Sequence, residues 1–270
     1  MYACLTASSK LWLETAETSM IFAIAMERGG GEKGAAPTPP GPARVRRGLR
    51  ARLFAWSLAH AVRQQDRLYG DRKRRLFAEV EGRGGPPVVV EVGPGAGPNA
   101  RWLAPGTRWV CVEPNVHFHP HLRRAAAEHG LDLELLTGTA EAVPLADGAA
   151  DAVVSTLVLC SVGDVGRSLA EARRVLRPGG RFVFVEHVAA PAGSWLRRTQ
   201  TALRGPWGVL ADGCRPDRET EAAIRAAGFA SVTVERFRAP LGLAAPHVAG
   251  VAVEGPAPSA PAGSASRPVA

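Results

Sequence analysis

The sequence of 270 residues has few of the features that would assign it to several common classes of protein. Its four cysteines are widely separated and include no CxxC pair, which excludes a zinc-binding or disulfide framework recognised by spacing. No apolar run approaches the ~20 residues that a transmembrane helix needs, and the best candidate, MIFAIAM at 20–26, is much shorter. No arginine precedes Arg28, so the start does not fit a mitochondrial presequence. These absences predict a cytoplasmic protein with no metal site, signal peptide or transmembrane helix.

Lysine and tyrosine are also scarce. The formal net charge is +8, yet there are only three lysines, so arginine carries nearly all of the positive charge. Codon bias explains that composition as well as a surface for polyanions does. The sequence has two tyrosines, and its basic residues are not interleaved with aromatic ones. We therefore expect no nucleic-acid partner, and a non-catalytic basic protein associated with RNA or membranes remains an alternative function.

The chain divides into three parts by composition. Gly/Pro-rich sequence at 28–43 predicts a disordered linker, and similar sequence at 254–270 predicts a disordered tail. We therefore expect a disordered or poorly defined segment at 1–44, to which we assign no role, and one folded domain at 45–253. Within that domain, residues 45–84 are predicted to form helices that cover a substrate pocket.

Inside the domain the hydrophobic pattern alternates between strands and helices. Two helices are predicted first, at 49–62 and from 71 to about 81, followed by strands at PVVVEV, RWVCVEP, LDLELLTG, DAVVSTLVL and RFVFVEHV. Further helices are predicted at PHLRRAAAEHG, VGRSLAEARRVLRPGG and DRETEAAIRAAGF, and SVTVERF and HVAGVAVE are the last strands. The pattern predicts an α/β, Rossmann-like fold: a seven-stranded, mostly parallel sheet with an antiparallel last hairpin and helices on both faces.

A glycine-rich turn follows the first predicted strand, in VVVEVGPGAGPNARW at 88–102. Glycine lets a backbone turn tightly or approach a ligand closely, and such sheets bind ligands at the carboxyl ends of their strands. Glu113 ends the second strand, at the ~20-residue offset where a carboxylate accepts the hydroxyls of a ribose. Pro98 replaces the last glycine of GxGxxG, which disfavours a nicotinamide-dependent dehydrogenase. The pattern predicts a nucleoside ligand, and a tight turn without a ligand is the alternative.

Four stretches resemble, in order, the motifs of class I S-adenosylmethionine-dependent methyltransferases: EVGPGAG, CVEPN, GTAEAVPLADGAADAVV and EARRVLRPGGRFVFVEH. TLVLCSV, EHVAA, PWGVLADGC and APHVAGVAV resemble the methyltransferase-like protein 7 family of alkyl-thiol S-methyltransferases and its bacterial relatives. The similarity extends from about Leu53 to Val253. It implies S-adenosylmethionine as cofactor and a small apolar acceptor, an alkyl thiol. A small-molecule O- or C-methyltransferase of the quinone-biosynthesis type shares most of these motifs and is the nearest alternative.

The resemblance also implies which residues bind the cofactor. Gly93, Gly95 and Gly97 would pass under its methionine and ribose, and Glu91 would help to hold its ammonium through the turn or a water. Glu113 would accept the ribose hydroxyls. The residues expected around the adenine are Pro114, Asn115, Ala140 and Glu141, and those expected to flank the methionine and sulfonium are Thr156 and Leu157.

Two residues are candidates for the catalytic step. Methyl transfer mainly requires alignment of the reactants, and a thiol acceptor, with a pKa of about 8.5 when free, needs only a nearby base or cation to ionise. His187 ends the fifth strand and Asp212 lies in ADGC, and both are candidates for this help. A histidine that caps the strand and a turn residue before Gly213 are the structural alternatives.

The remaining cysteines and histidines have simpler interpretations. Cys111 is predicted to lie in the core, and Cys160 and Cys214 are treated as small apolar residues rather than as a nucleophile relay. HFHPH, at 117–121, holds three histidines on alternate positions, but Pro120 interrupts it and no fourth ligand is evident. We expect it at the rim of the adenine pocket, without a metal.

The predicted helix at 49–62 is expected to cover the acceptor pocket, with Leu53, Phe54 and Trp56 forming an apolar wall. Its arginines also suit peripheral contact with an anionic membrane. Packing of one face on the core, with solvated arginines on the other, is the simpler interpretation. Animal relatives in the resembled family carry a long apolar anchor from which this sequence departs. The pattern does not determine the oligomeric state.

Overall fold

The computed structural model describes residues 45–256, apart from 61, 81 and 83. The predicted segment at 1–44 and the predicted tail beyond 256 lie outside the described residues. The strands are β1 Val88–Val92, β2 Arg108–Val112, β3 Asp132–Leu136, β4 Ala150–Thr156, β5 Leu176–His187, β6 Ser231–Arg238 and β7 Pro246–Val253. The α-helices are α1 Leu49–His60, α2 Val62–Phe77, α3 His119–His129, α4 Val165–Val175, α5 Trp195–Leu210 and α6 Thr220–Ala226. Short 3-10 helices lie at Ala100–Trp102, Val116–Phe118 and Gly242–Ala244.

The seven strands form one sheet in the order β3-β2-β1-β4-β5-β7-β6. Strands β1 to β5 are parallel, and β7 runs antiparallel to both β5 and β6. This arrangement confirms the predicted fold. The hairpin of β6 and β7 forms as expected, with β7 inserted beside β5 so that β6 is the edge strand.

Side chains from both faces of the sheet are buried, which explains why β1, β2 and β4 are nearly continuous apolar runs. One face packs Val90, Val153 and Phe182 with Leu169 of α4 and Ile224 of α6. The opposite face packs Val89, Trp109 and Cys111 with Phe77 of α2 and Leu122 of α3. Cys111 is fully buried, as predicted. Helices therefore cover both faces and leave the ends of the strands open for a site.

Three elements differ from the sequence-based expectation. Helix α2 begins at Val62 rather than near Asp71, because the arginine- and glutamine-rich start of this helix has little hydrophobic periodicity. Strand β5 begins at Leu176 and includes the Pro-Gly-Gly sequence, whereas the hydrophobic pattern predicts that sequence at the end of a helix. Helix α5 was not predicted, because it contains Pro206 and two glycines, which usually interrupt helices. Its start is nonetheless well defined, since the Ser194 hydroxyl accepts a hydrogen bond from the Arg197 N–H.

No helix within the described part of the chain is both long and apolar enough to span a bilayer.

Candidate active site

A cavity of about 1140 Å³ opens at the carboxyl ends of β1, β2, β4 and β5. Every residue predicted to bind the cofactor lines it except Gly97, and both predicted catalytic residues, His187 and Asp212, line it as well. The cavity exceeds the ~300–1,000 Å³ of a typical small-molecule site. It is large enough for a nucleoside cofactor and a second ligand.

The glycine turn closes one end of the cavity. Gly93 and Gly95 have φ angles of 57° and 56°, a left-handed conformation that favours glycine. A Cβ atom on Gly93 would lie 2.8 Å from Val158 Cγ2, so no larger residue fits without movement. Gly97 instead packs towards Ala125 and Trp109, and its expected place under the cofactor stays a prediction. The turn continues into a 3-10 helix of three residues rather than a long helix, which leaves no long-helix N-terminus for a pyrophosphate.

Glu113 lies at the end of β2, and backbone N–H groups fix both of its carboxylate oxygens. One oxygen accepts a hydrogen bond from the Gly95 N–H at 3.1 Å, and the other accepts one from the Asn115 N–H at 2.8 Å. Each oxygen keeps a free lone pair, which is the requirement for accepting two hydroxyls of a diol. Burial raises the pKa of Glu113 to about 7, and the nearby Asp212 adds to this shift while Arg46 opposes it. The geometry fits the ribose role predicted for Glu113.

Glu91 lines the cavity together with Asn99, a neighbour that the sequence did not predict for the site. Its two carboxylate oxygens accept from Asn99 Nδ2 at 2.7 Å and from Trp109 Nε1 at 2.8 Å. Asn99 Nδ2 also donates to Thr156 Oγ1 at 3.0 Å, so both of its hydrogens are engaged. Asn99 Oδ1 is buried without a partner among the described residues. This unpaired acceptor, in a residue that lines the cavity, can accept a hydrogen bond from an ammonium group, and the contact with Glu91 holds Asn99 in place.

The expected adenine side is formed by the segments after β2 and β3. Asn115 Nδ2 donates to the Ala51 carbonyl at 3.0 Å, which fixes this segment against α1. Glu141 Oε1 accepts from the Gly163 N–H at 2.7 Å and fixes the loop before α4. Pro114 and Ala140 lie in the lining beside them. The predicted residues are thus brought together around one end of the cavity.

Only part of the apolar wall predicted on helix α1 faces the cavity. Phe54 lines the cavity together with Leu58, and the Phe54 ring packs edge-on against Phe118 at 6.3 Å. Leu53 and Trp56, which were expected in the same wall, are 53% and 59% exposed and lie outside the lining. The helical period of 3.6 places residues 54 and 58 on one face and turns 53 and 56 away from it.

The other end of the cavity brings together three side chains from different elements: Cys160 after β4, His187 at the end of β5 and Cys214 after α5. Their ligand atoms all lie within 4.8 Å of one another, and all three residues are buried. His187 Nε2 is 2.9 Å from Cys214 Sγ, and Trp207 Nε1 donates to the same sulfur at 3.1 Å. His187 Nδ1 has no partner among the described residues. We call this group the cysteine–histidine cluster.

The two thiols of the cluster differ in acidity. A hydrogen bond with Cys160, together with those from His187 and Trp207, lowers the pKa of Cys214 to about 5 although burial opposes the shift. The hydrogen bond with Cys214 and burial raise the pKa of Cys160 well above its usual range. Of the two thiols, Cys214 is therefore the more acidic.

Behind the cluster, a second histidine is fully engaged. His247 Nδ1 lies 3.0 Å from the Ala245 carbonyl, to which it donates, and its Nε2 accepts from the Tyr69 hydroxyl at 2.9 Å. Burial lowers the pKa of His247 to about 4, so this ring is neutral. It packs edge-on against His187 at 6.1 Å. His247 therefore supports His187 without a free nitrogen of its own.

Asp212 lies in the cavity lining but is already paired. Both of its carboxylate oxygens accept from the Arg46 guanidinium in a bidentate contact. Arg46 is tied to the end of β2 through its N–H, which donates to the Pro114 carbonyl at 2.8 Å. Asp212 has a φ angle of 53°, in the turn that also contains Gly213. The structure thus shows the turn residue that was the alternative to a base, and the catalytic role of Asp212 stays a prediction.

Leu157 is the other non-glycine residue with positive φ in the described chain, at 59°. Its N–H donates to the Val185 carbonyl at 2.8 Å, and it lines the cavity beside Thr156. Strain of this kind costs roughly 1–3 kcal/mol and is concentrated at binding sites. Its position is consistent with the predicted place beside the cofactor's methionine.

The HFHPH segment forms a 3-10 turn followed by the start of α3, not a strand. His117 Nε2 lies 3.2 Å from the Arg47 carbonyl, and His119 Nε2 lies 3.2 Å from the Glu113 carbonyl. Of this segment, only Phe118 lines the cavity. The described residues form one cluster suited to a metal, the cysteine–histidine cluster, and these histidines are not in it.

Comparison with known proteins gives a consistent result. Residues 90–184 match the methyltransferase domain family. The human thiol S-methyltransferase TMT1B is 38% identical over 74% of this chain and 86% of its own length. The ubiquinone/menaquinone biosynthesis C-methyltransferase UbiE of Caulobacter vibrioides is 30% identical over 66% of this chain and 70% of its own length. A solved S-adenosylmethionine-dependent methyltransferase from Thermotoga maritima shares the fold, with a TM-score of 0.51, 22% identity and coverage of 76% of this chain and 96% of its own.

Proposed function

This chain belongs to the methyltransferase family that includes the human thiol S-methyltransferases, and we propose that it methylates the sulfur of a small apolar thiol with S-adenosylmethionine. The observation that carries the proposal is the two-ended cavity. One end has the glycine turn and Glu113, and the other has a buried cluster of sulfur and imidazole beside apolar side chains. The chain is thus a methyltransferase whose cavity can hold a nucleoside and a thiol side by side.

The residues at the first end suit S-adenosylmethionine. Glu113 would accept the ribose hydroxyls, Asn99 Oδ1 would accept from the ammonium, and the bare backbone at Gly93 would allow close approach. Glu91 would act through Asn99, which it orients. Pro114, Asn115, Ala140 and Glu141 would surround the adenine. When bound, the cofactor supplies a methyl group on a cationic sulfonium, so these residues have only to hold and orient it.

A thiol acceptor suits the second end because charge is lost when a thiolate meets a sulfonium. An apolar cavity favours such a reaction, and alignment of two bound reactants supplies roughly 7–11 kcal/mol of the barrier. Phe54, Leu58 and Val158 provide apolar surface in the lining of the cavity, where Leu58 and Val158 lie against the glycine turn on which the cofactor would rest. A quinone-type O- or C-acceptor remains the competing hypothesis, and direct competition between acceptors separates the two.

The deciding experiment measures S-adenosylhomocysteine release by purified full-length protein with a short alkyl thiol, a phenol or a quinone precursor. We expect turnover with the thiol, and its loss in Glu113→Ala. Glu128→Ala is the matched control, because Glu128 is an exposed acid on α3 whose ion-pair partner, Arg124, lies on the same helix. Turnover with the quinone precursor and none with the thiol would contradict the proposal.

We extend the proposal to peripheral membrane contact through α1. Leu49, Leu53 and Trp56 are exposed on this helix, whose inner face lines the cavity. Exposed apolar side chains next to arginines suit contact with an anionic lipid surface, and an apolar thiol concentrates in membranes. Co-sedimentation with phosphatidylcholine vesicles, with and without phosphatidylserine, tests the contact. Trp56→Gln should weaken it, and equal recovery of the two proteins would argue against it.

A further inference from the structure

The cysteine–histidine cluster has the composition of a metal site. Cys160, His187 and Cys214 each offer one ligand atom, and these atoms all lie within 4.8 Å of one another. Thiolate and imidazole are the ligands that proteins use for Zn²⁺, in tetrahedral geometry. Two thiolates also neutralise a divalent cation, which lowers the cost of burying it. The sequence predicted no metal site because spacing rules detect ligands that are close in sequence, and these three are not.

The fold holds the three ligands together through the backbone. His187 ends β5, and Cys160 lies in the turn after the neighbouring strand β4. The segment after α5 is joined to that turn by the Arg215 N–H, which donates to the Cys160 carbonyl at 2.9 Å. Arg218 strengthens the same junction by donating to the Leu159 and Val162 carbonyls. Cys214 is therefore held beside Cys160 independently of any contact between their sulfurs.

Surrounding groups match those found around metal-bound thiolates. Trp207 Nε1 donates to Cys214 Sγ at 3.1 Å, and Ser161 Oγ lies 3.4 Å from Cys160 Sγ. Such outer hydrogen bonds orient metal ligands and tune their basicity. The nearby His247 has both ring nitrogens engaged, so it is not a fourth ligand. Three protein ligands and one open position are the arrangement of catalytic rather than structural zinc sites.

We propose that Cys160, His187 and Cys214 bind one Zn²⁺ ion, whose open fourth position takes the sulfur of the acceptor thiol. All three residues line the cavity, so that position is accessible to the acceptor. The role of the fourth position rests on the proposed thiol acceptor, whereas metal binding does not. His187 then acts as a ligand rather than as the base predicted from the sequence.

The chemistry balances without any further reactant. The acceptor thiol releases its proton to solvent as its sulfur binds Zn²⁺, because coordination favours the thiolate. The thiolate sulfur then forms a bond to the methyl carbon while the bond between that carbon and the sulfonium sulfur breaks, and the bonding pair remains on the former sulfonium. The products are two neutral thioethers and the proton. A neutral thioether is a weaker ligand than a thiolate, which favours product release.

The first test is the metal content of full-length protein purified without chelators. We expect about one zinc ion per chain by mass spectrometry, and little in Cys160→Ser, Cys214→Ser and His187→Ala. Cys111→Ala is the matched control, because Cys111 is a buried cysteine of the core outside the cluster. Trp207→Phe should keep the three ligands but lower the affinity for zinc about 10- to 100-fold, measured by competition titration.

The second test replaces zinc with Co²⁺. We expect a thiolate-to-cobalt charge-transfer band and the intense visible bands of tetrahedral cobalt. An alkyl thiol should shift the visible bands, and the alcohol with the same alkyl group should not. Full zinc loading with a spectrum insensitive to the thiol would overturn the acceptor position. Metal-free protein that still methylates the thiol, or a Cys160–Cys214 disulfide in the active protein, would overturn the zinc site while the proposed function stands. Bound zinc in a protein that methylates no thiol would refute the proposed function instead.

Discussion

The two ends of the cavity are built in different ways. The cofactor end comes mainly from segments directly after β1, β2 and β3, with Thr156 at the end of β4, and contacts such as Gly95 to Glu113 and Glu91 to Asn99 join residues fewer than twenty positions apart. The acceptor end takes Cys160, His187 and Cys214 from three separate elements. The first end is therefore a property of local motifs, whereas the second depends on the whole sheet and on α5.

The two ends also differ in what they can bind. The cofactor end offers directed acceptors, at Glu113 and Asn99 Oδ1, which suit the hydroxyl and ammonium donors of a nucleoside amino acid. The acceptor end offers sulfur and imidazole, which suit a soft thiolate or a metal. If this division is correct, variants at one end should leave binding at the other intact.

The largest expected effect is a separation of the two functions by single substitutions. Glu113→Ala should weaken S-adenosylmethionine by ~100-fold or more, because two hydrogen bonds to a buried carboxylate are lost, while bound zinc is unchanged. Cys214→Ser should abolish zinc binding and change cofactor affinity by less than about threefold. Calorimetry for the cofactor and mass spectrometry for the metal measure both. Loss of both ligands in either variant, with the fold retained, would show that the two ends are one coupled site.

A smaller effect is expected from Gly93→Ala, which tests the close approach at the cofactor end. Gly193→Ala is the matched control, because both glycines have positive φ but a Cβ atom meets Val158 only at position 93 and nothing within 4 Å at 193. Each substitution should cost ~1–2 kcal/mol of stability through backbone strain. Gly93→Ala should in addition weaken S-adenosylmethionine at least ~10-fold, since a 1.4 kcal/mol loss already gives that factor. Equal cofactor affinity in the two variants would show that the cofactor does not approach the glycine turn closely.

Cofactor affinity should also depend on pH through Glu113. Its pKa is raised from 4.5 to about 7, so the carboxylate is ionised above that value and protonated below it. Only the ionised form accepts two hydroxyls, and affinity should therefore be constant above about pH 8 and fall up to ~10-fold per unit below pH 7. Arg46 and Asp212 are the charged groups that perturb this pKa besides the backbone donors. Glu113→Gln should bind weakly with a flat profile, and a wild-type profile that is flat from pH 5 to 8 would refute the assignment.

The cofactor end could be predicted from the sequence because its chemistry lies within motifs. The order of strands and turns placed Gly93, Gly95 and Glu113 at neighbouring strand ends, and parallel sheets bring such ends together. The role of Asn99 was not predicted, although this residue lies in the glycine-rich turn, because a single asparagine forms no recognisable pattern. Its role appears only when the Glu91, Trp109 and Thr156 contacts are seen together.

The acceptor end could not be predicted in the same way. Cys160 and Cys214 were interpreted as apolar residues, since nothing in the sequence shows that the segment after α5 returns to the turn after β4. Helix α5 itself was hidden by Gly205, Pro206 and Gly208. His187 was identified from its place at the end of a strand, but its contact with Cys214 depends on α5, which was not predicted. Tertiary contact, not local propensity, creates this part of the site.

The smallest expected effect belongs to Asp212, which lines the cavity in the turn after α5 and was predicted as a base. In its bidentate pair with Arg46, the arginine is 42% exposed and the carboxylate 11%, and a pair that reaches solvent on its arginine side contributes about 0–1 kcal/mol. We therefore expect Asp212→Asn to lower kcat less than about fivefold and to leave the shape of the pH–rate profile unchanged. Arg46→Gln should have an effect of similar size, and the double variant should be no worse than either single one, because each removes the same contact.

Varying the ionic strength tests the same role of Asp212. The wild-type rate should approach that of Asp212→Asn as ionic strength rises, since ions screen the pair from its solvent-exposed arginine side. A loss of more than ~100-fold in kcat for Asp212→Asn, together with loss of the fall in rate on the acidic side of the profile, would instead identify Asp212 as the base. The acceptor thiol would then be activated beside Arg46 and Glu113, close to the ribose, and the division of the cavity into a cofactor end and a sulfur-binding end would have to be abandoned.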